Sequence, residues 1–373
     1  MRTLPSKKSN QEMTDEISQR DKISVINVGG TIASNVDYET GAVTPQSSVE
    51  QIYKTVPEVR EMADLSGITV CNIQSENIKP HHWNQIGNTI GQELNNGAKG
   101  AIIPHGTDVM GHTAAALSFM FQNLSKPIIL VGAQRSPDRP SSDIHQNLTS
   151  AVAAAKSDMS EVGVVMHATS SDNFCWLHPG TKVRKCHTSR RDAFRSINSY
   201  PLGRIQNKEV EFLDPDSKKD RTDEPVACDD GFEGRVALLK LSPNISSDIV
   251  HDLVDNDYNG IVLEGTGLGH APEQLDEGIE RAIGNNIPVV MTSQCLWGRT
   301  SMRVYSRGRN LLELGVFPVE DMLPETAYIK LMWVLDKTQD PEEVKNLMQA
   351  NLAGEINPRS QPETHLRPGY EEV

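Results

Sequence analysis

The chain has 373 residues and a formal net charge of −14, from 50 acidic against 36 basic side chains. That length exceeds one ordinary core and points to about two domains, while a surface this acidic repels phosphate backbones unless a local basic patch overrides it, and so disfavours strong direct nucleic-acid binding by the chain alone. The five cysteines, Cys71, Cys175, Cys186, Cys228 and Cys295, are scattered and form no C-x-x-C pair, so neither a disulfide framework nor a zinc site is indicated and a reducing cytoplasm fits best.

Residues 1–21 are polar and lack the apolar stretch of a signal peptide, and no later segment approaches the ~20 apolar residues that span a bilayer. They read as a disordered lead to a soluble protein. The run "KISVINVGG", starting at Lys22, is a β-rich segment that ends in glycines, as a buried strand feeding a tight turn does. "GITVCNI", "GAIIPHG", "KPIILVGAQ" and "VGVVMHA" repeat the pattern, separated by segments of helical spacing such as "HHWNQIGNTIGQEL". Strands alternating with helices predict a mainly parallel, doubly wound sheet covered on both faces, here over 22–204.

Residues 205–233 turn charged and read as a linker. "RVALLKL", "GIVLEGTG" and "IPVVMTSQ" then alternate with helical segments, predicting a smaller α/β domain over 234–355 and a polar tail over 356–373.

In such sheets ligands sit beyond the carboxyl ends of the strands. Two loops fall there: "GGTIAS", which places Thr31 after a glycine turn, and "HGTD", which places Thr107 and Asp108 at the entry to a helix with apolar positions Met110, Ala114, Leu117, Phe121 and Leu124. Taken alone, a Thr-Asp pair there reads as an N-cap. Yet a helix start also concentrates amide donors and positive potential, and hydroxyls beside a carboxylate suit attack on a carbonyl if a base is near.

"GTKVRKCHTSRRDAF" offers that base. If 181–187 is extended, alternation puts Val183, Lys185 and His187 on one face and Lys182, Arg184 and Cys186 on the other. Partial burial on the apolar face favours the neutral amine of Lys185, a proton acceptor. As a cluster, Lys182, Arg184, Lys185, Arg190, Arg191 and Arg195 read as a solvated or partner-facing surface. "GTGLG" at 265–269 is not spaced as a dinucleotide loop, and His81, His82, His105, His112 and His187 lack the spacing of a metal set.

"GGTIAS", "HGTD", "VGAQRSPDRPSSD" and the Lys185 segment, in that order, resemble the bacterial-type L-asparaginase/glutaminase amidohydrolase family over residues 22–360. "VDYETGAV", "HTSRRDAF", "TSQCLWGRT" and "DMLPETAYIKLMWVL" resemble its archaeal tRNA-dependent amidotransferase branch more than its free-standing asparaginases. The resemblance implies a two-domain asparaginase-like fold and Thr31 as nucleophile. It also implies a second group of Thr107, Asp108 and Lys185, in which the lysine deprotonates threonine and the aspartate holds the array; which threonine acts first stays open. Ser75 and Glu76 would bind the substrate's α-carboxylate and α-ammonium together with Asp108, and "ASNVDYETGAVTP", with Tyr38, would be a mobile lid over a small amide substrate. No metal or cofactor is implied in this chain. ATP and Mg²⁺ are expected on a transamidating partner of the E type, which would carry most tRNA contacts, and the chain itself is expected to be a homodimer or higher assembly with its site completed by a neighbouring copy.

The sequence departs from the family at Val28, where threonine is usual, and in "SSDIHQNL" after the VGAQR turn. About twenty polar residues stand where the tRNA-dependent branch has a further β-domain. Two alternatives stay open: a free-standing cytoplasmic L-asparaginase and a catalytically silent scaffold.

Overall fold

A computed structural model describes residues 20–29, 35–36, 43–44, 49–122, 124–137, 139–213 and 224–365. In chain order, the first half builds β1 (Lys22–Asn27), the short pair β2 (Asn35–Val36) and β3 (Val43–Thr44), α1 (Val49–Thr55), α2 (Val59–Met62), β4 (Asp64–Thr69), α3 (Pro80–Asn95) and β5 (Gly100–Pro104). There follow α4 (Met110–Met120), β6 (Ile128–Val131), α5 (Ile144–Lys156), β7 (Val162–His167), β8 (Cys175–Pro179), β9 (Val183–Lys185), β10 (Phe194–Ser196), β11 (Gly203–Gln206) and β12 (Glu209–Phe212).

Among the described residues the large sheet runs β12-β11-β8-β7-β6-β5-β1-β4. The pairings β4–β1–β5–β6–β7 are parallel and those of β7–β8–β11–β12 antiparallel, so the sheet is mixed, with a parallel majority. Period-two alternation sorts its residues onto two cores: Ala101 and Ile103 face α3 and α4, whereas Ile102, Ile129 and Val131 face α1 and α5.

The second sheet, β13 (Val236–Lys240), β14 (Gly260–Gly265), β15 (Val289–Ser293) and β16 (Phe317–Pro318), is parallel throughout. One face packs on α6 (Asp248–Asp255), α7 (Asp276–Gly284) and α8 (Ser306–Leu314); the other receives α9 (Pro324–Lys337), followed by α10 (Pro341–Gln349). Helix α9 also packs on α4, with Phe119 and Trp333 stacked 6.1 Å apart, so a single apolar core joins both sheets. Hence α4 is not amphipathic: residues 113–120 are all buried, because one side meets the large sheet and the other meets α9. Each large apolar side chain so enclosed stabilises by roughly 1.5–3 kcal/mol over its exposed state.

The segment expected as linker carries structure. Strands β11 and β12 join through Asn207 and Lys208, with φ of 53° and 67°, the two-residue turn that matches strand twist. Their alternating charges mark a protected edge of the sheet. Further on, Asp229 N–H donates to Met120 O (2.9 Å) and Glu233 N–H to Met332 O (2.8 Å), strapping 224–233 across α4 and α9. The expected tail is likewise held at its start, where Asn357 N–H donates to Asp321 Oδ1 at 2.9 Å.

Candidate active site

The parallel strands run outward from β1 in both directions, to β4 on one side and β5 on the other, so the loops after β1 and β5 diverge at a topological switch point. Glycines let three loops meet there. Gly29 has φ +102°, and a Cβ on it would stand 2.3 Å from Ile73 O; a Cβ on Gly106 would stand 2.6 Å from Ser75 Cβ. The loop after β1 thus meets the Ile73 backbone, and the loop after β5 meets the Ser75 side chain two residues on. Ser75 is buried against Gly106, and Glu76 beside it is exposed.

Thr107 and Asp108 do not cap α4. The N-cap is Val109, without a side-chain cap hydrogen bond, and both side chains turn instead to Lys185 on β9. Lys185 Nζ donates to Thr107 Oγ1 at 2.9 Å and to Asp108 Oδ1 at 2.7 Å. Thr107 is buried, Lys185 is 15 % exposed and Asp108 66 % exposed, so the amine bridges a sheltered hydroxyl and a solvent-facing carboxylate. Strand β9 comes this close because Gly111, in the first turn of α4, lets Val183 O approach: a Cβ there would lie 2.9 Å from that oxygen. An amine within hydrogen-bond reach of a hydroxyl is placed for proton transfer.

His105 orients the same loop. Trp83 Nε1–H donates to Thr113 Oγ1 (3.1 Å), the Thr113 hydroxyl donates to His105 Nε2 (2.9 Å), and His105 Nδ1–H donates to Gly106 O (2.7 Å). Burial lowers the His105 pKa to about 4, which keeps the ring neutral and the donor chain in this direction. Gly106 O belongs to the peptide that precedes Thr107. A lone histidine before G-T-D gave no sequence signal of this role; only the fold brings Trp83 and Thr113 to it.

The basic cluster is tied up in ion pairs, and of its members Arg190 alone is exposed. Lys182 pairs with Asp321 (2.9 Å), Arg184 with Glu325 (3.5 Å), Arg191 with Asp172 (2.7 Å), and Arg190 and Arg195 with Asp192 (2.8 and 3.3 Å). The alternation expected of 181–187 appears in these partners, since Lys182 and Arg184 reach the second domain while Lys185 reaches Thr107. Between the domains lies a cleft of about 250 Å³, walled by Asp108, His112, Arg184, Lys185, Glu264 and Glu325. Burial pushes the Glu325 carboxyl above its ordinary range, with Arg184 opposing.

The departure after the VGAQR turn also has a structural account. Asp143 is fully buried and accepts from Gln134 N (2.9 Å), Arg135 N (3.0 Å) and Asn147 Nδ2 (3.0 Å), closing the turn after β6. Of the remaining expected site residues, Thr31 and Tyr38 lie outside the described residues. Strands β2 and β3 are the described part of the expected lid. No helix among the described residues is long and apolar enough to cross a membrane.

With the geometry in place, comparison with known proteins assigns the family. The family description "Asparaginase, N-terminal" matches residues 22–218, and "Glutaminase/Asparaginase C-terminal domain" matches 235–348. The chain is 55 % identical over 347 residues to a protein of Pyrococcus abyssi named as the D subunit of glutamyl-tRNA(Gln) amidotransferase, covering 93 % of this chain and 79 % of the relative. It is 48 % identical over 344 residues to the protein of the same name from Methanosphaera stadtmanae, covering 92 % and 78 %. Among solved structures, the thermostable L-asparaginase from Thermococcus kodakarensis superposes with a TM-score of 0.81 at 32 % identity, covering 91 % of this chain and all of that one. The chain belongs to the asparaginase family of amidohydrolases.

Proposed function

We propose that this protein is the glutaminase subunit of a tRNA-dependent amidotransferase, releasing ammonia from glutamine for transamidation of Glu-tRNA(Gln). The observation that carries the reading is Lys185 Nζ, placed 2.9 Å from Thr107 Oγ1 and 2.7 Å from Asp108 Oδ1 at the switch point of the large sheet. Lys185, acting as the base, takes the proton of a threonine hydroxyl, whose oxygen attacks the side-chain amide carbon. The tetrahedral intermediate collapses as its C–N bond breaks, and the departing nitrogen takes up a proton to leave as ammonia. Water then cleaves the acyl ester, restoring the hydroxyl and releasing glutamate. Thr31 is the nucleophile that the family resemblance implies, and Asp108 holds the lysine in line.

Ser75 and Glu76 bind the α-carboxylate and α-ammonium of the amino acid, Glu76 by direct charge pairing. ATP and Mg²⁺ chemistry and most tRNA contacts belong to a transamidating partner, a division of labour suited to a chain of net charge −14. The working assembly is a cytoplasmic homodimer bound to that partner.

The likeness to a thermostable L-asparaginase supports a second reading, hydrolysis of asparagine without any partner. Ammonia release from glutamine and from asparagine separates them, measured on the chain alone and then with the transamidating partner, ATP, Mg²⁺ and Glu-tRNA. Glutamine turnover that rises with partner and tRNA supports the amidotransferase; brisk asparagine turnover by the chain alone supports the rival; no turnover under any condition leaves a scaffold.

A further inference from the structure

The hairpin that carries Lys185 is anchored outside its own domain. Thr181 O accepts from Thr326 Oγ1 of α9 at 2.8 Å, and Thr181 Oγ1 donates to Ala353 O at 3.2 Å. Lys182, next in the chain, is 1 % exposed and donates to Asp321 Oδ2 at 2.9 Å. Asn198 lies just beyond the hairpin's other arm in a left-handed conformation, φ 57°, and donates through Nδ2 to Asp321 O at 3.1 Å. Both ends of the β9–β10 hairpin therefore land on one residue, and Asp321 is itself saturated: Asn357 donates to Oδ1 from its amide (2.9 Å) and to Oδ2 from Nδ2 (2.6 Å).

A buried ion pair is seldom worth more than an apolar pair of the same volume, but it tolerates little displacement, because breaking it strands a charge. We infer that the Lys182–Asp321 pair is a positioning device for Lys185, by which the second domain sets the reach of the amine to Thr107 Oγ1. This rests on the reading of Lys185 as base. Proton transfer needs heavy atoms within about 2.6–3.2 Å, and Lys185 has no covalent tie to Thr107 that would keep it there if the hairpin slid.

The test uses the full chain, with the transamidating partner wherever the wild type needs it, and the double substitution Lys182→Met with Asp321→Asn. This removes both charges and keeps an acceptor for the Asn357 amide. The expected result is a folded protein whose kcat for glutamine falls by about 100-fold, the cost of a misplacement of order 1 Å, with KM unchanged. Lys182→Arg, which keeps a buried cation against Asp321, should recover most of that kcat. Leu311→Ala, a cavity in the second domain's outer core, should lower stability and leave kcat alone. A folded double variant with wild-type kcat overturns the inference. If it does not fold, Asp321→Asn alone decides by the same split: reduced kcat at constant KM supports it, and unchanged kcat overturns it. Lys185→Met keeps the two failures apart. An active Lys185→Met protein sinks the base assignment, whereas an inactive one beside fully active Lys182 variants sinks only the positioning role.

Discussion

Lys182 and Lys185 stand three residues apart, each paired with an aspartate, yet one pair is 1 % and 3 % exposed and the other 15 % and 66 %. In the buried pair every lone pair counts, so Asp321 collects Lys182, Asn357 and, through its carbonyl, Asn198. Burial pulls the Lys182 ammonium below the ordinary lysine range, with Asp321 opposing. The outer pair is free of that demand: Asp108 faces water, and Lys185 keeps a bond to spare for the Thr107 hydroxyl. Two chemically identical pairs thus differ in setting, one enclosed at the foot of the hairpin and the other open to solvent beside a threonine hydroxyl.

The contrast breaks most visibly at Lys185. Lys185→Met should lower ammonia release by about 10²- to 10⁴-fold, the span of a lost general base, while the melting temperature stays put, since a pair this exposed contributes about 0–1 kcal/mol. Adding Thr107→Val should cost little more, because members of one proton-transfer unit are not additive; multiplicative losses in steady-state assays would separate the two residues.

Lys182→Met should show the converse in urea unfolding. Leaving Asp321 buried with only the more distant Arg299, 3.9 Å from Oδ1, as a cation costs up to about 3–5 kcal/mol, part of which Asp321→Asn should return. A wild-type unfolding midpoint for the single variant would mean that water reaches the site.

The histidines sharpen the comparison by showing the other solution to burial, which is to carry no charge. His105 and His112 are lowered to about 4 and His178 to about 3, chiefly by burial. Their folded values lie below the unfolded value of about 6.5, so the unfolded state binds more protons in between. Stability is therefore full above about pH 6.5 and declines as the pH falls towards 4. Urea midpoints compared at about pH 7 and about pH 4.5 should show the drop, and equal midpoints would contradict neutral burial.

The smallest effect concerns binding rather than proton transfer. Glu76→Gln should raise KM for glutamine more than it lowers kcat, as loss of a contact shared by ground and transition states does. Unchanged kinetics would remove Glu76 from the site.

Much of the site was legible because its signals are local. Glycines after β-rich runs located the loops of Gly29 and Gly106, and side-chain alternation by itself sorted Lys185 from Lys182 and Arg184. The linker reading failed on local chemistry too. The charges of Glu209 and Glu211 concealed an edge strand whose turn, Asn207–Lys208, lacks the usual glycine. The N-cap reading of Thr107 and Asp108 failed for a different reason: the competing partner, Lys185, is 77 and 78 residues away.

What the sequence by itself determined is whatever depends on backbone periodicity and turn chemistry: alternating strands and helices, the placement of Thr107 just beyond a strand end, and the faces of the Lys185 segment. Only the tertiary structure decided which partners fill those faces. Asp321 lies 139 residues from Lys182, and Glu325 is brought to Arg184 by the docking of α9 on α4. Pairing over such separations depends on how two sheets share one helix, and no local pattern encodes that.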